Sequence, residues 1–331
     1  VNVKLDEIAK LAGVSCTTVS YVVNGKAKQY RVSDSTIAKV QALIKQYDFK
    51  PNAMAASLRV GKSKTIGLII PDFENISYAK IANKLENRLR EKGYQLLISC
   101  SNDHIENEQD CVKHLLQRQV DALVVSSALP YDTDFYQNAY VPVIGFDRRI
   151  QSPNVVNVLT DDEGDACRLA EEFLKLPNQQ QVLFFGALPE LPTSKERELG
   201  FRKALKDRSV KVDYLYTDKF HKNNAANTFA QWLSEQEDLP TTIFTTSFTL
   251  LEGVMLVLLQ RFGHVPHHLT IATFGHFEML ELLENPVICS VQDYDKISQS
   301  LLNLAFDAIS KKHKTTVNST PLSRKVIKYH C

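Results

Sequence analysis

Two groups of side chains in this 331-residue chain have types and spacing suited to chemistry. The first is Ser15, Cys16, Thr17, Ser20, Tyr21 and Asn24, with Lys26, Lys28 and Arg31 close behind. Small polar groups on one face of a short helix can reach base edges in a DNA major groove, while clustered cations neutralise phosphates. The second group follows successive apolar runs: Asp72 and Asn75, then Ser101, then Ser126 and Ser127, then Asp147 with Arg148. Hydroxyls and carboxylates satisfy a polyol's donors and acceptors, whereas arginine forks suit phosphate. The mixture favours a sugar phosphate. For any single residue of the second group a structural ion pair or loop cap is the competing role. For the first group the competitor is an ordinary three-helix bundle with a solvated basic face.

Catalytic and metal constellations are missing. Cys16, Cys100, Cys111, Cys167, Cys289 and Cys331 form no Cys-x-x-Cys pair and no Cys/His grouping at zinc spacing, so neither a disulfide framework nor a metal site is expected. Dinucleotide and P-loop glycine patterns, Gly-x-Ser-x-Gly and His-Glu-x-x-His are absent too. No catalytic residue and no cofactor is assigned, and lone histidines such as His104 and His114 read as surface or helix residues.

Net charge is only +1, but residues 1–64 hold 11 Lys+Arg against 4 Asp+Glu, and the remainder holds 28 against 34. That asymmetry points to a nucleic-acid-binding module joined to a more acidic body. Hydrophobic residues at 44% and charged residues at 23% exclude collagen-like and largely disordered chains, and the length calls for two or three domains. Apolar runs such as 66–70 and 123–125 are far short of a bilayer span and no signal segment opens the chain, so a cytoplasmic protein without membrane partners is expected.

The elements that must position these side chains can be read from periodicity. Leu5, Ile8, Ala9 and Ala12 recur at helical spacing until Gly13 stops the helix. A second helix over 17–23 points Val19, Val22 and Val23 inward and Cys16, Thr17, Ser20 and Tyr21 outward; Ser15 can cap it. A third, over 33–47, buries Ile37, Val40, Leu43 and Ile44. This is a helix-turn-helix arrangement. Residues 51–64 offer a short helix, capped by Asn52, that is marginal alone and suits a hinge ordering on DNA, with Leu58 as a minor-groove wedge beside Arg59. Beyond it, strand-like stretches at 66–71, 95–100, 122–127 and 143–147, then 182–187, 214–216, 243–247 and 271–274, alternate with helical ones. Such spacing suits two parallel β-α-β halves whose facing strand ends enclose a ligand cleft.

The runs Leu5-Asp6-Glu7-Ile8-Ala9 to Gly13-Val14-Ser15, Thr18-Val19-Ser20-Tyr21-Val22-Val23-Asn24-Gly25, and Ala55-Ala56-Ser57-Leu58-Arg59 before Thr65-Ile66-Gly67-Leu68-Ile69-Ile70-Pro71 resemble the lactose/galactose repressor family, and the resemblance runs the whole chain. Asn24 to Ser33, Leu115 to Ala122 and Gly186 to Leu191 narrow it to the branch of fructose and sucrose repressors. The resemblance implies an all-α helix-turn-helix domain over 1–50, a hinge helix and linker over 51–64, and an effector-binding and dimerisation domain over 65–331. That last part would be an α/β periplasmic-binding-protein-like (type I) body. Its two Rossmann-like subdomains would run roughly over 65–160 and 161–289, with the C-terminal segment crossing back between them.

DNA contact falls, by resemblance, on Ser15, Cys16, Thr17, Thr18, Ser20, Tyr21, Asn24, Lys28, Arg31, Leu58 and Arg59. Effector contact falls on Asp147, Arg148, Arg197, Phe220 and Gln292, and the candidate set further holds Asp72, Asn75, Ser101, Ser126, Ser247 and His276. The implied partners are double-stranded operator DNA, a second copy or three more copies of the chain, and an effector such as fructose 1-phosphate, fructose 1,6-bisphosphate or a related sugar that releases the hinge. No heptad tail follows Lys311, so a coiled-coil tetramer is not expected. Two positions depart from the branch. His276 stands where relatives commonly place a sugar-binding carboxylate, and Cys16 stands where an arginine is usual.

Overall fold

The computed structural model describes residues 3–50, 62–310 and 320–331. The hinge stretch, with Leu58 and Arg59, and most of the polar stretch after Lys311 lie outside the described residues. Contacts divide the chain into two compact units, Val1–Ser63 and Lys64–Cys331.

In the first unit, α1 (Leu5–Ala12) ends at Gly13, whose φ of 71° is the left-handed turn that an L side chain resists. The α2 helix (Cys16–Val23) starts one residue earlier than its apolar pattern indicates, because the Ser15 side chain accepts a hydrogen bond from the Thr18 amide. Ser33 caps α3 (Asp34–Gln46) in the same way through Thr36. Ile8, Ala9, Ala12, Val19, Val22, Ala27, Val40 and Phe49 form the shared core. Each large aliphatic chain buried there stabilises the unit by about 1.5–3 kcal/mol.

The second unit holds two sheets. Strands β1 (Thr65–Ile70), β2 (Gln95–Cys100), β3 (Ala122–Val125), β4 (Val143–Phe146) and β5 (Val155–Val158) form a parallel sheet in the order β2-β1-β3-β4-β5. Helices α4 (Ile76–Glu91) and α5 (Ile105–Gln117) connect its first strands. The other sheet holds β6 (Gln181–Ala187), β7 (Lys211–Thr217), β8 (Thr242–Thr245), β9 (Thr270–Phe274), β10 (Val287–Val291) and β11 (Lys325–Tyr329), in the order β11-β10-β9-β8-β6-β7. Only β11 runs antiparallel, and it pairs with β10 from Val287–Tyr329 to Val291–Lys325. The intervening helices are α6 (Asp162–Phe173), α7 (Pro192–Ala204), α8 (Lys222–Ser234) and α9 (Phe248–Phe262), with a 3-10 turn at Glu278–Leu282.

The sequence also reads as strand-like at 325–330, where β11 lies, so two strands, β5 and β10, go beyond those expected from it. Both are short, and an apolar run of four or five residues carries no period by which strand and helix can be told apart. After β10 the chain crosses back: α10 (Tyr294–Ile309) buries Tyr294, Ile297, Leu301, Leu302 and Ala305 in the core of the first sheet, and β11 then returns to the second. Each half is thus completed by residues remote in sequence. No helix among the described residues is long and apolar enough to cross a membrane.

Candidate functional site

The carboxyl ends of both sheets line one cavity. The first half contributes Asp72, Asn75, Ser77, Tyr78, Asp103, Asp147 and Arg148, and the second contributes Thr193, Arg197, Phe220, Thr246, Ser247, Phe248, Phe274, Gln292 and Arg324. Local structure explains several placements. Asn75 caps α4 by accepting from the Ser77 amide at 3.0 Å, and Ser247 caps α9 by accepting from the Leu250 amide at 3.2 Å, so two helix starts bring their caps to the cavity. Asp72 Oδ1 accepts the amides of Glu74 (2.8 Å) and Asn75 (3.1 Å), which folds the loop after β1. Asp147 has φ of 60°, a left-handed conformation costing on the order of 1 kcal/mol or more in a non-glycine residue. Its carboxylate accepts from the Tyr78 hydroxyl at 2.7 Å.

Three buried guanidiniums organise the charge. Arg148 donates through Nη1 to Asp103 at 2.5 Å and to the Ser127 carbonyl at 3.3 Å. Arg197 donates through Nε to Asp162 at 2.7 Å and through Nη1 to the Thr246 carbonyl at 2.6 Å, and its guanidinium lies over the Phe274 ring at 4.6 Å. Arg324, just before β11, donates to Asp162 at 2.9 Å and Asp165 at 3.0 Å and lies over Phe274 at 5.0 Å. Burial alone would raise the Asp162 carboxyl, but Arg197 and Arg324 outweigh it and hold it below the usual range. For Arg148, burial opposes the charge, but the carboxylates of Asp103 and Asp147 outweigh it and the guanidinium stays charged. These bonds leave the Nη2 groups of Arg148 and Arg197 without a protein partner among the described residues. Thr246 Oγ1 and Gln292 Oε1 are likewise buried and unpaired.

Eight of the effector candidates therefore line one cavity: Asp72, Asn75, Asp147, Arg148, Arg197, Phe220, Ser247 and Gln292. Three do not. Ser126 is fully buried against the Tyr78 hydroxyl at 3.1 Å, and Ser101 is enclosed behind the wall with its amide on the Ile70 carbonyl. His276 turns to β11, where Nε2 lies 2.9 Å from the Tyr329 hydroxyl and the two rings stack. Burial and the neighbouring Lys80 push its imidazolium down, so the ring is neutral at pH 7 rather than a cationic donor. The acid paired with Arg197 is Asp162, not the Glu190 or Glu196 next to it in sequence. Glu196 bridges to Arg149 at 3.5 Å and Glu74 to His221 at 3.0 Å, both across the two halves.

Sequence reading missed Tyr78, Asp103, Thr246 and Arg324. A hydroxyl following β8 was available as a signal for Thr246. For Arg324 no local signal exists, because it reaches the cavity only through the return of the chain after α10.

In the first unit, Thr17, Asn24, Lys28 and Arg31 are exposed. The Ser15 and Thr18 hydroxyls are 2.9 Å apart, and Asn24 Nδ2 donates to the Ser20 carbonyl at 2.8 Å, so these polar groups also cap α2. Cys16, expected on the outward face, is half-buried against the core, since a small apolar thiol at the first helical position turns inward.

Residues 4–52 match "Bacterial regulatory proteins, lacI family", and residues 66–313 match "Periplasmic binding protein domain". The chain is 48% identical over 324 residues to the catabolite repressor/activator of Salmonella typhimurium, covering 97% of this chain and 96% of that one. It is 41% identical over 325 residues to the fructose operon regulatory protein of Vibrio cholerae, covering 97% and 99%. Among solved structures it is similar to the Cra transcriptional dual regulator of Pseudomonas putida in complex with fructose 1-phosphate, with TM-score 0.74 and 33% identity over 80% of this chain and 98% of that one.

Proposed function

This chain belongs to the lacI family of bacterial regulatory proteins, and from that premise we propose that it is a cytoplasmic regulator of fructose or related carbohydrate genes, released from operator DNA by fructose 1-phosphate. One observation carries the effector reading. Arg148 and Arg197 come from opposite halves of the cavity and each keeps an unspent Nη2 donor, beside unpaired Thr246 and Gln292 oxygens. Charge-assisted guanidinium bonds suit a phosphate, and the hydroxyl, amide and carboxylate groups suit the sugar. The fructose 1-phosphate bound to the Pseudomonas putida relative supports that choice.

In mechanism, the helix-turn-helix unit over 1–50 reads the operator with Thr17, Ser20 and Tyr21, while Lys28 and Arg31 neutralise phosphate. The hinge over 51–64 passes the state of the 65–331 body to the DNA. An effector shifts that state only by binding one arrangement of the two halves more tightly than the other. Two copies match a near-palindromic site. The exposed apolar side chains Leu256, Leu259 and Phe262 on α9, with Leu282 at 84% exposure, support a pairing face on the second half.

The test is titration of fructose 1-phosphate, fructose 1,6-bisphosphate, fructose and sucrose against operator-bound protein, after genome-wide mapping of bound sites. Release by fructose 1-phosphate at concentrations where fructose does nothing is expected. Equal release by free fructose would overturn the phosphate reading.

A further inference from the structure

Between α2 and α3 the chain makes a turn over 25–32 that carries Lys26, Lys28 and Arg31, all exposed, and no acidic residue. Its anchors are backbone bonds and two apolar side chains. Ala27 is buried in the three-helix core, and the Val32 amide donates to the Ala27 carbonyl at 3.0 Å. The Lys26 amide donates to the Tyr21 carbonyl at 2.8 Å, and the Arg31 amide to Lys28 at 3.1 Å, with Arg31 held at φ of 54°. A left-handed non-glycine residue persists only where its surroundings over-determine it. The Tyr30 amide donates to the Lys26 carbonyl and the Gly25 amide to the Val22 carbonyl, both at 3.2 Å, and Val32 packs against the core. Across to α2 the turn adds an aromatic contact: Tyr30, 49% exposed, lies face to face on Tyr21, with ring centroids 3.9 Å apart and planes 2° from parallel.

Tyr21 belongs to α2, whose outward residues are the base-reading candidates. We propose that Tyr30 is a positioning residue, which clamps the basic turn to the reading helix so that phosphate contacts and base contacts arrive in one register. The stack sits outside the buried cluster of Ile8, Val19, Val22 and Val40, so its work is to orient the turn rather than to hold the three helices together. Backbone cations placed by a rigid turn fix register on the duplex, whereas the same cations on a loose turn contribute only diffuse attraction. The inference rests on the DNA-binding reading above.

The experiment uses full-length parent, Tyr30→Ala and Tyr30→Phe, with a duplex selected by the parent protein and a random duplex of equal length, across a salt series. Tyr30→Phe keeps the stack and should match the parent. Tyr30→Ala should lose tenfold or more in affinity for the selected duplex, with the slope of log affinity against log salt shallower by about 1–2, the signature of one or two lost phosphate contacts. Effector affinity and helix content should be unchanged. Parent-like affinity and slope for Tyr30→Ala would overturn the proposal, as would Tyr30→Phe failing alongside it, since the hydroxyl rather than the stack would then be at work. If Tyr30→Ala unfolds the first unit, Tyr30→Leu, which keeps apolar bulk without a ring, is held to the same criteria. A parent that binds no duplex would overturn the DNA-binding reading instead.

Discussion

Arg197 shows how much one side chain does here. Its Nε is committed to Asp162 and its Nη1 to the Thr246 carbonyl, so the same fork that holds α7 against the sheet ends presents its last edge to the cavity. Arg197→Ala should abolish effector response and also lower stability, by about 3 kcal/mol, because it removes one partner of a buried ion pair while Arg324 remains on Asp162. Arg197→Lys separates the two roles: a lysine keeps the charge near Asp162 but has no planar fork. Thermal unfolding and effector titration of both variants check this, and a lysine variant with parent-like effector affinity would remove the fork from the argument. Asp162 carries a second expectation. Its carboxyl is held below the ordinary value near 3.9, so its contribution to stability is present above that pH and fades as pH falls further. The stability gap between parent and Asp162→Asn in urea should be largest at neutral pH and shrink below about pH 4. A gap that is constant with pH would mean that the ion pairing of Asp162 contributes nothing.

At the scale of elements, α6 and α7 set the distance between Asp162 and Arg197. They approach closely at Gly200, where an added Cβ would meet the Glu163 carbonyl oxygen at 2.0 Å and its carbon at 2.8 Å. Backbone cannot yield as a flexible side chain does, so Gly200→Ala must push the helices apart. A loss of about 1–3 kcal/mol in stability is expected from such overpacking, together with weaker effector binding although no cavity residue has changed. A variant with parent-like melting temperature and effector affinity would show that the helix spacing is not what places Arg197. The helix-turn-helix unit folds under simpler rules, since its caps, its turn glycine and its apolar stripe all act within a few residues of one another.

For the whole molecule, the sensor and the reader share one free energy. If fructose 1-phosphate weakens operator binding by some factor, operator DNA must weaken fructose 1-phosphate binding by the same factor. Calorimetric titration of effector into free protein and into the protein–DNA complex gives one factor, and operator affinity with and without effector gives the other. Unequal factors would exclude a closed two-site linkage and point to a further bound species. The cross-half pairs Arg149–Glu196 and Glu74–His221 lie where relative motion of the two halves would stretch them.

By itself the sequence determined the helix-turn-helix unit, the separation of basic reader from acidic body, and the paired β-α-β halves, because caps, glycine stops, apolar periods and charge runs are local quantities. It also named eight of the residues that line the cavity: those that follow a parallel strand, such as Asp72, Asp147 and Arg148, are carried to the same end of the sheet by topology alone. The tertiary structure decided the rest. Which acid pairs with Arg197, and that Arg324 joins it, depends on how α6, α7 and the returning β11 pack. That Ser101, Ser126 and His276 turn away from the cavity depends on neighbours such as Tyr78 and Tyr329, which are distant in the chain. Such contacts follow from the closing of whole surfaces on one another, and no spacing within a few residues encodes them.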